Sequence, residues 1–276
     1  MSDAAERTIF VVVDPAQDTP IALDRVLAMS RFDPVKTPEY YRAAKIHLFL
    51  AVDCDNTDTS ADNPAMHRDS AWLLERVIKP LEESKLDFHV ELSWSSDWYG
   101  SIIQRAEKLS PELIMVPLVS KPSEAGRLFN ESIWRLMRTA KCPVLVVRPA
   151  PVPERSTILA ALNIQSHKPE YQRLNDLIAT RSRWIAAAHG ADLHIVNAYE
   201  DSLHYPDRSQ LAKMTEVDTA NIHVVSGDPE DVIADVAKKI GADVVVIGTR
   251  NRASRWRGNT AERIINKVDC DILAIN

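Results

Sequence analysis

The sequence predicts an α/β protein made of two tandem copies of one domain, each an open five-stranded parallel sheet flanked by helices. Three observations predict it. Apolar segments recur in the same order in both halves of the 276-residue chain. The segments are short runs of apolar, often β-branched residues separated by helix-length stretches. A proline cluster divides the chain near its middle, and the length exceeds that of an ordinary single domain.

Residues 8–14, TIFVVVD, match residues 157–163, TILAALN, as apolar runs that end in a polar residue where a chain leaves a buried strand. Each is followed by a helix-length segment. IHLFLAVD from Ile46 then matches LHIVNAYE from Leu193, with His47 and His194 both at the second position, and DFHVELS from Asp87 matches NIHVVSG from Asn221. The fourth block, SIIQRAEKLSPELIMVP from Ser101 against DVIADVAKKIGADVVVIG from Asp231, reads helix, turn, strand. Val232, Ile233, Val236 and Ile240 carry helical spacing, Gly241 is a helix stop, and Val244 to Ile247 form an unbroken apolar strand. Each half closes on an apolar run, CPVLVV from Cys142 and CDILAI from Cys270. Strands apolar on both faces need helices on both sides, which implies a parallel sheet. The boundary falls at PAPVPERS, 149–156, giving domains over 1–150 and 151–276. So short a linker leads us to expect the halves to dock as a pseudo-dimer, and a free edge at the fifth strand leaves room for a further homodimer.

Composition narrows the function. A net charge of -6 argues against general affinity for nucleic acid or acidic membranes. There is no run of eighteen apolar residues and no basic, apolar leader at the start, so a cytoplasmic protein without a membrane span is expected. Cys54, Cys142 and Cys270 form no CxxC pair, which suits a reducing compartment and leads us to expect no metal site.

The element order, the segment VVSGDPEDVIADVAKKIGADVVVIG from Val224 to Gly248 and the run GNTAERI from Gly258 resemble the universal stress protein family, in its tandem, two-domain form of the E type. The resemblance implies an adenine nucleotide alpha hydrolase-like fold and a stress-response role through ligand or protein contacts. ATP-binding relatives carry G-x2-G-x9-G-[S/T] after the fourth strand, so that backbone N–H groups approach phosphates at a helix start. In the second half Gly248 and Gly258 match, Asn251 replaces the middle glycine, Asn259 takes the hydroxyl position with Thr260 after it, and the loop is three residues short. The first half has Pro117, Ser120 and Asn130 at the glycine positions, and Pro117 has no N–H to offer. The aspartate that meets the nucleoside is Asp14 in the first half and Asn163 in the second. No copy holds aspartate and glycines together, so a standard ATP site is not expected. If one copy takes ATP it is the second, through Asn163, Gly248, Arg250, Gly258, Asn259 and Thr260.

Other features weigh less. The loop TRNRASRWRGN, 249–259, reads as a solvated surface loop before it reads as an anion site. Trp94, Trp98 and Tyr99 fall near the carboxyl edge of the first sheet, where open α/β sheets bind ligands; they read first as core or docking aromatics, and otherwise as the wall of a site for an apolar small molecule. The acidic stretch 53–64 fails the calcium-loop pattern, with Asp58 and Pro64 where glycine and glutamate are needed. The histidine pairs His47 with His194 and His89 with His223 read as inherited, hydrogen-bonded strand residues. GxSxG, HExxH and full Walker A motifs are absent from the sequence, so we expect no enzyme.

Overall fold

The computed structural model describes residues 7–15, 17–30, 44–55, 70–118, 133–149, 155–166, 168–200, 205–249 and 260–276. Contacts divide the chain into two compact units, one over 1–136 and 140–152, the other over 153–276 together with 137–139.

In the first unit, β1 (Thr8–Val13), β2 (Lys45–Asp53), β3 (Phe88–Ser95), β4 (Leu113–Pro117) and β5 (Val144–Val147) lie in the order β3-β2-β1-β4-β5. Every pairing along that order is parallel. β1 and β4 are buried at every residue, as an apolar run between two helical layers must be, whereas β3 at the edge is only partly covered. The connections carry α1 (Ile21–Ser30), then α2 (Ser70–Leu73) running through a π turn (Leu74–Ile78) into α3 (Lys79–Ser84), then α4 (Trp98–Leu109). Asp97 starts α4 by accepting the Gly100 N–H at 2.9 Å, and Ser110 ends it in the left-handed region at φ 49°.

The second unit repeats the plan. β6 (Thr157–Ala161), β7 (Asp192–Tyr199), β8 (Ile222–Ser226), β9 (Val244–Gly248) and β10 (Asp271–Ile275) take the order β8-β7-β6-β9-β10, again with parallel pairing. Its helices are α5 (Pro169–His189), α6 (Arg208–Thr215), α7 (Pro229–Ile240) and α8 (Thr260–Ile264). α7 has the expected apolar face, with Val232, Ile233 and Val236 buried, and Gly241 stops it at φ 64°, its N–H shared between the Ala237 and Lys238 carbonyls. Each unit therefore changes winding direction between its first and fourth strands, and the carboxyl ends of those strands are where such sheets bind ligands.

Candidate functional site

In the first unit the carboxyl edge is acidic and aromatic. Asp14 follows β1 directly, and Asp53 ends β2 on the neighbouring strand. The Asp14 carbonyl accepts the Gln17 N–H at 3.1 Å, and Asp53 Oδ1 accepts the Asp55 N–H at 3.1 Å, so both side chains stand on turns closed by their own residues. The first turn of α4 brings Trp98 and Tyr99 to the same edge, where their rings stack with centroids 3.8 Å apart. Trp98 is buried, while Trp94, opposite Val52 on β2, is 37 % exposed. Burial, and then the negative charges of Asp53 and Asp14, push the Tyr99 phenol up to about 12, so it is a protonated donor close to two carboxylates.

In the second unit Glu200 stands where Asp53 stands in the first, but an amide, Asn163, replaces Asp14, and the amides around it are internally bonded. Asn163 follows β6, and Asn175 from α5 holds both of its backbone groups: Oδ1 accepts the Asn163 N–H at 3.1 Å, and Nδ2 donates to its carbonyl at 2.8 Å. Asn197, fully buried on β7, donates to the Leu162 carbonyl at 2.8 Å and accepts from Gln165 Nε2 at 2.6 Å. Gly248 ends β9 beside β6, so Asn163 and Gly248 come to adjacent strand ends at the switch point. A Cβ on Gly248 would sit 2.5 Å from Leu174 Cδ2 and 3.2 Å from Ile178 Cδ1. Close packing of α5 on β9 thus explains that glycine without a phosphate. Thr260 is the first residue of α8; Arg250, Gly258 and Asn259, like Ser120, Asn130 and most of the acidic stretch, lie outside the described residues.

The histidines form two rows that the sequence reading treated as background. His47 on β2 pairs in register with His89 on β3, their rings 4.9 Å apart, and His47 Nε2 is 2.8 Å from Glu91 Oε2. Arg105 from α4 brings its Nε within 2.6 Å of the same oxygen, although the N–H is not aimed at it. Burial lowers the pKa of His47, opposed by its hydrogen bond to Glu91. In the second unit His194 Nδ1 and His223 Nε2 lie 3.1 Å apart, and burial lowers the pKa of both. Glu91 was missed by sequence reasoning. The signal was available: residues two apart on a strand share a face, so His89 and Glu91 meet the partner strand together.

With these sheets, helices and strand-end sites in place, the class of the molecule is defined. The model of the Universal stress protein family matches residues 6–148 and again 175–276, and the chain belongs to that family as a tandem of two copies. It is similar to Universal stress protein E of Salmonella typhi, with 27% identity over 99% of this chain and 95% of the relative. The fold is that of solved structures with lower identity. A functionally unknown protein from Pseudomonas aeruginosa superposes with a TM-score of 0.75 at 23% identity, covering 98% of this chain and 92% of its own. A universal stress protein from Archaeoglobus fulgidus gives 0.67 at 16% identity, covering 97% and 96%. It is a stress-response protein of that family, and among the described residues no helix is long and apolar enough to cross a membrane.

Proposed function

We propose that this stress-response protein works by binding rather than by chemical turnover, and that the first unit's carboxyl edge is where a small molecule binds. The observation that carries the reading is the protonated Tyr99 beside Asp14 and Asp53, backed by Trp98. Two carboxylates repel a polyphosphate and accept hydrogen bonds, so the edge suits an aromatic or amine-bearing ligand rich in donors. The second unit's edge is less suited, because the side-chain amides of Asn175, Asn197 and Gln165 are already bonded to the backbone or to one another.

A second reading is an ATP-binding switch in the second unit through Asn163, Gly248, Arg250, Gly258, Asn259 and Thr260. The position of Gly248 beside the Asn163 strand end favours it. Native mass spectrometry of the intact chain, as isolated and then with Mg²⁺ and ATP, separates the two. The first reading expects a bound small molecule that Asp14→Ala releases, and no ATP adduct. A stoichiometric ATP adduct abolished by Gly258→Asp would move the site to the second unit. A lipid-sized adduct would favour an apolar ligand beside Trp94, and a bare chain would leave protein contacts, including a homodimer read from the same spectra, as the mode of action.

A further inference from the structure

We infer that His47, His89 and Glu91 form a divalent metal site in the first unit, with zinc as the ion it takes. One ligand atom from each of the three lies within 4.8 Å of the other two. Two imidazoles and one carboxylate are a donor set that binds zinc with a fourth position left to water. The register builds the set. His47 and His89 are direct partners across β2 and β3, and Glu91 stands two residues beyond His89 on the same face. Tetrahedral zinc holds its ligands about 3.4 Å apart, so a small inward rotation closes the site. His47 and Glu91 are already 2.8 Å apart, and the ion would replace the hydrogen between them.

The residues around the triad fit this use. His47 is 5% exposed and is held between the Phe10 ring, 5.8 Å away, and His89, so one ligand is preorganised by packing. His89 is exposed on the edge strand, which gives the ion an entry path and the ligand freedom to turn. Arg105 is an opposing charge, its Nε 2.6 Å from Glu91 Oε2, and its partly exposed side chain would turn toward water as the ion enters. The second unit supplies the internal control. His194 again has a partner at hydrogen-bond distance, His223, but the register pairs His223 with Val196, so His223 stands where Glu91 stands and Asn221 stands where His89 stands, and the three-ligand set is not repeated. The site therefore belongs to one unit and does not depend on the ligand assigned to the carboxyl edge.

Titrating the full chain with zinc against a chromogenic chelator, and with Co²⁺ read by absorption, tests this. We expect one tight ion per chain, a visible tetrahedral Co²⁺ spectrum without a thiolate charge-transfer band, and a loss of affinity of at least about tenfold in His89→Ala and in Glu91→Gln. His89 is exposed, so its replacement leaves the fold intact and separates ligation from stability. Unchanged affinity in both variants, a thiolate band, or no binding by the parent chain would overturn the assignment.

Discussion

The two units share one strand order but close it with different chemistry. Among the described residues, the first unit has Asp14 and Asp53 at its carboxyl edge and buries the polar side chains of Thr8, Arg25 and His47. The second carries amides at the same edge, Asn175 on the Asn163 backbone and Gln165 on Asn197, and a buried ion pair, Arg155 to Asp271. Duplicated domains free one copy from a shared task. Here the second copy spends its edge amides on internal hydrogen bonds, and the first copy is the one in which we propose that a ligand binds.

The comparison breaks most sharply at Asp271. Arg155 Nη2 reaches its carboxylate at 2.9 Å with both side chains almost fully buried, whereas the matching position in the first unit is Pro143. Removing one partner strands a buried charge, so Asp271→Ala should cost about 3–5 kcal/mol in urea unfolding of the second unit. The double change Arg155→Met with Asp271→Leu should recover most of it, because two apolar groups leave no charge unpaired. A single-variant loss below about 1 kcal/mol would place this pair with weak surface contacts.

Gly248 gives the next effect. Pro117 occupies the matching strand end in the first unit, so a ring is accommodated there, but in the second unit Leu174 fills the space a Cβ needs. Gly248→Val should destabilise by about 1–3 kcal/mol through overpacking against α5, and a Leu174→Ala background should relieve it. If the variant is as stable as the parent yet loses a bound nucleotide, the glycine serves a ligand and not the helix.

Most of the fold was legible in the sequence because buried parallel strands read as unbroken apolar runs, and β1, β4, β9 and β10 lie where those runs lie. The strand-end residues Asp14 and Asn163 were legible for the same reason: a polar residue marks where the chain leaves the core. The locks were not. Arg155 and Asp271 are 116 residues apart, and nothing local to either announces the other. Asn175 in mid-helix and Asn197 in mid-strand look like ordinary amides until tertiary packing sets each against a backbone carbonyl. Glu91 needed the β2–β3 register, which the apolar pattern of an edge strand specifies only weakly.

The smallest expected effect sharpens the comparison through pH. His194 and His223 share one hydrogen bond at 3.1 Å, which requires a neutral ring as acceptor. Burial is the main cause that lowers both pKa values; beyond it, the charges of His194, Lys239 and Arg208 lower His223 further, while Asp192 opposes the shift at His194. A histidine whose folded pKa lies below its ordinary 6.5 contributes stability that is complete above that value and is lost as pH falls through 6.5 toward the folded pKa, since the unfolded chain takes up the proton first. His47 has its folded pKa lowered too, yet its partner is a carboxylate, so a protonated ring still donates to Glu91. Hydrogen exchange at pH 7.5 and 5.5 should therefore show β7 and β8 losing more protection on acidification than β2 and β3, and His223→Gln should flatten the difference. Equal loss in both units would mean that the carboxylate gives the first pair no advantage, and that burial alone sets the acid response of each.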